Sequence, residues 1–146
     1  MSIFGAMNSS ASGLTMQRLR MDLISQNIAN VDTTKTKNGM PYRRKVMLVE
    51  EKSSNSFADV LATTVNSSSD GSGVKVSKIV EDKRPFNKVY NPGHPDADKE
   101  GYVNMPNVNV IEEMVNMISA SRSFEANITA MNSTKSMAMK ALEIGK

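Results

Sequence analysis

The last 41 residues, Pro106 to Lys146, contain no glycine or proline between Val108 and Gly145, so they predict one long helix. Spanning Val108 to Glu143, it would be roughly 54 Å long at about 1.5 Å per residue. Heptad spacing aligns one line of side chains and a second line three residues on. These lines hold Met114, Ser121, Ile128, Lys135 and Leu142, and then Met117, Phe124, Met131 and Ala138. The narrow, mostly apolar stripe is typical of a coiled-coil seam, so we expect this helix to need a partner helix.

Residues 1 to about 30 form a second helical candidate with the same period. Its lines hold Met7, Leu14, Met21 and Ile28, and then Ser10, Gln17, Ile24 and Val31. Gly5 and Gly13 each weaken a helix by up to about 1 kcal/mol relative to Ala, so alone this segment should be frayed in water. Paired with the C-terminal helix, it would complete a two-helix stalk with both chain ends together.

The segment between the helices predicts a small, irregular β-rich insert. Strand candidates are Tyr42 to Glu50, Val74 to Val80, Lys88 to Tyr90 and Tyr102-Val103. Asn38-Gly39 is a hairpin signal, and Pro106 and Asn107 are candidates to cap the long helix. Lys52 to Gly73 predicts a flexible loop with one apolar patch, Phe57 to Val65. The domains expected are 1–35, 36–106 with a flexible loop at 52–73, and 107–146.

Composition limits the function. The chain has 39% hydrophobic and 5% aromatic residues, so its core is modest, and it has no cysteine for disulfides or thiolate sites. The net charge of +3 raises the alternative of a basic helical nucleic-acid-binding protein. However, the basic residues are dispersed, and the one cluster, Arg43-Arg44-Lys45, is best interpreted as a solvated edge because no aromatic residues interleave with it. No apolar run reaches the ~20 residues of a membrane span, and no cleavable signal opens the chain.

Candidate catalytic and metal-binding residues are few. His94 is the only histidine, between turn residues, and has no second His or Cys to complete a zinc site. Asp96 to Gly101 imitates the first half of an EF-hand loop, but position twelve is Asn107 instead of Glu, so we interpret it as an acidic solvated loop. Glu112-Glu113 complements the dipole at a helix start. Nucleophile and nucleotide motifs are absent, so we predict no enzyme and no cofactor.

A family resemblance joins these features. Ser25-Gln-Asn-Ile-Ala-Asn30 followed by a Thr-rich turn resembles the N-terminal signature of the bacterial flagellar rod, hook and hook-associated axial proteins. The match narrows to the proximal-rod type through Pro41-Tyr-Arg-Arg-Lys45, Val89-Tyr-Asn-Pro-Gly-His-Pro95 and Pro106 to Met117. Its signature positions here are Ser25, Asn27, Ile28, Ala29, Asn30, Asn107, Glu112, Glu113 and Met114. The likeness covers nearly the whole chain except Lys52 to Ser72.

The resemblance implies a non-enzymatic subunit of the basal-body rod, which spans the periplasm. It implies that the terminal helices pair as an antiparallel coiled coil in an inner tube, while the middle loops out as an outer domain. It also implies partners: other rod proteins, copies of itself and the flagellar type III export apparatus, which exports the chain without cleaving a signal. We expect no nucleic acid and no membrane insertion. The expected interface positions are Met7, Leu14, Met21, Ile24, Ile28, Met114, Met117, Ser121, Phe124, Ile128, Met131, Ala138 and Leu142.

Overall fold

A computed structural model describes residues 3–52 and 73–144 of the chain. It contains α1 (Ile3–Ala29), β1 (Lys45–Glu51), β2 (Val74–Glu81), β3 (Asn87–Tyr90), β4 (Tyr102–Met105) and α2 (Val110–Glu143). The class predicted from the sequence, mainly α with a small β-rich insert between two long terminal helices, is confirmed. The predicted loop at 52–73 and its patch Phe57 to Val65 lie almost entirely outside the described residues.

The four strands form two separate two-stranded sheets, β1–β2 and β3–β4. β3 and β4 pair antiparallel, with Asn87 opposite Met105 and Tyr90 opposite Tyr102. β1 and β2 are also antiparallel, because Lys52 N donates to Gly73 O at one end and Asp82 N donates to Arg44 O at the other. Since a two-stranded sheet is marginally stable alone, each ribbon depends on what packs against it.

The turn predicted at Asn38-Gly39 forms, but it is not a β-hairpin. Gly39 has a φ of +75°, a left-handed conformation that glycine adopts without steric cost. Its N–H donates to Thr36 O, and Thr36 N donates to Met40 O, which closes the turn. The residues on either side are irregular, and β1 begins only at Lys45. The turn therefore reverses the chain after α1 without starting a ladder.

Two compact units divide the described chain. The first comprises the described residues of Met1–Leu19, Val49–Ser77 and Ala120–Lys146, and the second comprises Arg20–Leu48 and Lys78–Ser119. In the second unit the buried apolar side chains are few: Leu23, Ile24, Tyr42, Val103 and Val108. In the first unit Ala120 is fully buried. Cores this small leave a large share of the packing to polar contacts.

The first unit brings the two helices very close at a glycine. A Cβ added to Gly13 would lie 3.2 Å from the side-chain amide of Asn127. Glycine inside a helix lowers helix stability, but here it is the residue that leaves room for the Asn127 amide. Val74 N of β2 also donates to Ser12 Oγ, so the start of β2 contacts the same stretch of α1.

Candidate functional site

A buried polar cluster lies in the second unit, and Asn27 and Glu113 are at its centre. Asn27 comes from the last turns of α1 and is 1% exposed, and Glu113 comes from the start of α2 and is fully buried. Asn27 Nδ2 donates to Glu113 Oε2 and to Lys45 O, both at 3.0 Å. Asn27 Oδ1 accepts from Tyr42 Oη at 3.0 Å and from Lys45 N at 2.9 Å. Both donor hydrogens and both acceptor sites of the Asn27 amide are used, as burial of a polar side chain requires.

Arg44 supplies the charge that allows Glu113 to be buried. Its Nε and Nη2 approach Glu113 Oε1 at 2.7 Å and 2.6 Å, and its side chain is only 15% exposed. Arg44 also lies 3.5 Å from the Asp82 carboxylate and 3.8 Å from that of Glu112. A buried carboxylate is tolerated when it is paired and hydrogen-bonded, and both conditions hold for Glu113.

The interpretation of Arg43-Arg44-Lys45 as a solvated edge is wrong for both arginines. The Arg43 guanidinium lies 4.4 Å from the centre of the Phe86 ring, and its Nη1 donates to Asp82 O at 3.1 Å. Arg44 is enclosed by acids of its own chain. The sequence gives little sign of this role because the partners of Arg44, namely Asp82, Glu112 and Glu113, are distant along the chain. The one local signal is its place within the predicted strand Tyr42 to Glu50.

Asn107 joins this cluster instead of capping the long helix. Its Oδ1 accepts from Arg44 N at 2.9 Å, and its Nδ2 donates to Asp82 O and Arg84 O at 3.1 Å and 3.2 Å. The residue that caps α2 is Asn109, whose Oδ1 accepts from Ile111 N at 3.0 Å and Glu112 N at 3.4 Å. An N-cap side chain accepts from the second and third N–H groups of its helix, and Asn109 does this.

The pKa values of two titratable groups in the cluster are shifted by their surroundings. Burial raises the pKa of Tyr42 above its ordinary value, and the negative charges of Glu113 and Glu81 raise it further. The backbone N–H of Arg84 lowers the pKa of Asp82, aided by the guanidinium groups of Arg84 and Arg44 and opposed by partial burial. Asp82 therefore remains ionised in the fold, and Tyr42 remains a neutral hydrogen-bond donor.

The cluster ties segments together and holds no group poised for a reaction. Its acids are paired with its arginines, and each amide is occupied by neighbouring groups. Four signature residues predicted from the sequence meet here or at its edge: Asn27, Asn107, Glu112 and Glu113. The others lie elsewhere: Ser25, Ala29 and Met114 are exposed, Ile28 is half-buried, and Asn30 bonds Gln26 O and Thr33 Oγ1 after α1.

The acidic loop after β3 is occupied by contacts from its own chain. Asp96 Oδ2 accepts from Thr34 Oγ1 at 2.8 Å, and Lys35 Nζ lies 3.9 Å from Asp96 Oδ1. His94 Nδ1 accepts from Asp96 N at 3.1 Å. Among residues 3–52 and 73–144, no group of three or more His, Cys, Asp or Glu side chains is placed to hold a metal ion.

The predicted interface positions differ in burial. Ile24 is buried. Nine are half-buried: Met7, Leu14, Met21, Ile28, Met117, Ser121, Phe124, Met131 and Ala138. Met114, Ile128 and Leu142 are exposed. The first heptad line of α2 is therefore exposed at these three positions. Glu113 and Ala120, which directly precede two residues of that line, Met114 and Ser121, are buried instead.

An exposed apolar stripe runs along the start of α2 in the second unit. Ile111, Met114, Val115 and Ile118 are 74%, 55%, 62% and 53% exposed. Their spacing of three, four and seven residues puts them on one face of the helix. Exposed apolar residues recur at the other end of α2, in the first unit: Met137, Met139, Leu142 and Ile144. Exposed apolar surface of this kind is typical of protein interaction sites.

Similarity to known proteins identifies the family to which this chain belongs. A model of the flagella basal body rod protein family matches residues 7–35, and a model of the flagellar basal body rod FlgEFG protein C-terminal family matches residues 99–144. The chain is 54% identical to the flagellar basal-body rod protein FlgC of Bacillus subtilis, over the full length of both. The chain belongs to the FlgC family of flagellar basal-body rod proteins. The FlgC of Borreliella burgdorferi is 47% identical over 99% of this chain and 98% of its own, and that of Escherichia coli O157:H7 is 38% identical over both full lengths.

Membership confirms that the chain is a structural rod protein and not an enzyme. The matched ranges include most of α1 with the turn after it and, separately, β4 with α2. The two central groups of the buried cluster, Asn27 and Glu113, lie within these matched ranges. In the part of the chain that the structure describes, neither helix is long and apolar enough to cross a membrane.

Proposed function

We propose that this rod subunit assembles by packing its terminal helices, paired as an antiparallel coiled coil, against neighbouring subunits in a helical drive shaft. The shaft transmits torque, and its inner wall lines the export channel. Residues 1–35 and 107–146 form the packing part, and residues 36–106 form a middle domain that loops out. The partners are other rod proteins and copies of this chain.

Contacts between α1 and α2 support the antiparallel pairing. In the second unit, Arg20 Nη2 donates to Asn116 Oδ1 at 3.5 Å and Asn27 bonds Glu113, so later residues of α1 meet earlier residues of α2. In the first unit, Gly13 packs on Asn127. Gln17 is also buried there, and its Oε1 has no hydrogen-bond partner among the described residues. Polar seam positions lower stability but favour one register.

The observation that carries the proposal is the exposed apolar stripe Ile111, Met114, Val115 and Ile118. A helix in water normally turns such residues inward. In the second unit, the inner face of α2 carries the charged Glu113, while the larger apolar side chains of the stripe face outward. The surface best suited to hydrophobic burial is therefore left for another subunit. The interface positions named from the sequence that are exposed or half-buried, among them Met114, Phe124 and Ile128, would be covered by the same step.

Assembly would then be coupled to folding. The helices become fully ordered only when neighbours bury their outer faces, so the cost in conformational entropy is offset at the growing tip. Weakly ordered ends suit passage through the type III export apparatus from the cytoplasm, without signal cleavage, to a rod that spans the periplasm. Contacts that do not close on themselves would continue as a helical filament.

The assembly proposal can be tested by introducing a charged side chain into the apolar stripe. Ile118→Asp should leave the thermal melt of the purified protein unchanged, because Ile118 is 53% exposed in the free chain. In the source strain deleted for the native copy, it should abolish complete rods in isolated basal bodies and stop swimming, since an interface would have to bury the carboxylate. Asn132→Asp, an exposed polar position of the same helix, is the matched control. Normal rods with Ile118→Asp would refute the proposal.

A further inference from the structure

Arg44 makes contacts with three segments of the second unit at once. Its guanidinium reaches Glu113 in the first turns of α2 and Asp82 just after β2. Its backbone N–H donates to Asn107 Oδ1, and its carbonyl accepts from Asp82 N at 2.8 Å. Because Arg44 directly precedes β1, both strands of the β1–β2 hairpin are held where they meet α2.

The planar Arg44 guanidinium can restrain the orientation of the acids around it as well as neutralise their charge. Its planar fork presents two nitrogens to Glu113 Oε1, at 2.7 Å and 2.6 Å, and a third to Asp82. A lysine ammonium could neutralise the same acids, but as a point charge on a flexible stem it would not hold the angle between them. The fork therefore restrains the orientation of the hairpin base relative to α2.

We propose that Arg44 is a positioning residue: it sets the direction in which the base of the β1–β2 hairpin leaves α2, and the subunit fits its place in the rod only in that direction. The inference rests on the proposed assembly function. It adds a requirement on the shape of the second unit that the apolar stripe alone does not impose. Side-chain geometry at Arg44 would then control incorporation even where stability is preserved.

The direct test measures the direction in the free protein. The chain has no cysteine, so Lys78→Cys on β2 and Val115→Cys on α2, both exposed positions of the second unit, give one unique pair of spin labels. Arg44→Lys in this background should keep a cooperative thermal melt but broaden or shift the distribution of label-to-label distances measured by pulsed electron resonance. Arg18→Lys, at an exposed arginine of α1, should leave the distribution unchanged.

The second readout is assembly. In the source strain deleted for the native copy, Arg44→Lys should cause loss of most complete rods from isolated basal bodies, whereas Arg18→Lys should give wild-type numbers. The positioning role of Arg44 would be overturned if Arg44→Lys left the distance distribution unchanged. It would also be overturned if Arg44→Lys changed the distribution but still gave wild-type numbers of rods. A loss of the cooperative melt in Arg44→Lys would also overturn it, because Arg44 would then supply stability only. The distance measurement is made on the free protein, so it does not depend on assembly. The assembly proposal fails in a different experiment, by the appearance of normal rods with Ile118→Asp.

Discussion

Asn27 and Glu113 are separated by 86 residues in the chain, yet the Asn27 amide donates a 3.0 Å hydrogen bond to the Glu113 carboxylate with both side chains buried. The bond joins the end of α1 to the start of α2. It also ties both helices to the chain entering β1, because the same amide holds the backbone N–H and carbonyl of Lys45. One short side chain thus connects three segments of the second unit.

Replacing Asn27 by Asp should test this connection. The change preserves size but removes the donor to Glu113 and places two carboxylates side by side without water. We expect destabilisation of at least about 3 kcal/mol, measured as the free energy of unfolding in urea. The exposed substitution Asn132→Asp should change it by less than about 0.5 kcal/mol. An Asn27→Asp protein as stable as wild type would show that the cluster does not hold the unit together.

Neighbouring glutamates should respond very differently to the same change. Glu113→Gln removes the charge opposite Arg44 in a buried pair and should cost about 3 kcal/mol of unfolding free energy. Glu112→Gln should cost less than about 1 kcal/mol, because the Glu112 side chain is 46% exposed and its ion pairs, at 3.7 Å and 3.8 Å, are solvated. Equal losses for both variants would contradict the assigned geometry.

We expect low pH to destabilise the second unit by protonating Asp82. The pKa of this carboxyl lies below its ordinary 3.8 in the fold, chiefly because the Arg84 backbone N–H donates to it. The folded state therefore binds the proton less readily than the unfolded chain, so this stabilisation is present above about pH 4 and lost as pH falls through the lowered pKa. Wild type and Asp82→Asn, compared by denaturation from pH 7 to pH 2, should differ at neutral pH and converge in acid. A difference that persists at the lowest pH would show that Asp82 acts by packing instead.

Carboxylates introduced in the middle of α2 should separate assembly from folding. Phe124→Asp or Ile128→Asp should abolish rod incorporation while leaving the second unit folded, since both positions lie in the first unit. Counting rods in basal bodies gives the assembly readout, and hydrogen exchange at the amides of Lys45 and Arg44 reports the second unit. Ser133→Asp, exposed and polar on the same helix, serves as the comparison. Wild-type motility with Ile128→Asp would remove that position from the interface.

The helices were predictable because heptad spacing and the absence of helix breakers are local properties. α2 begins at Val110, two residues after the predicted start, and α1 ends at Ala29, close to the predicted end. Asn109, followed by Glu112 three residues later, fits the capping pattern better than the predicted Asn107. Periodicity favours apolar residues for the inner face, so the sequence gives no sign that Glu113 is buried there.

The buried cluster could not be predicted because its geometry is not local. Asp82, Arg44 and Glu113 come from three segments, and each looks like an ordinary surface charge in its own stretch of sequence. Burial of a charge depends on whether its counter-charge arrives in the right orientation, which only the folded chain decides. The resemblance did identify Asn27, Asn107 and Glu113 as signature positions, without indicating that they meet.

The exposed apolar stripe on α2 also affects the behaviour of subunits that are not yet incorporated into a rod. Every free copy shows the same water-avoiding surface to every other copy, so the rate of unproductive clumping rises with the concentration of unincorporated chain. A cell that makes this protein faster than its rods lengthen would accumulate precipitate instead of a reserve. We therefore expect synthesis of the chain to be matched to the growth of the rod.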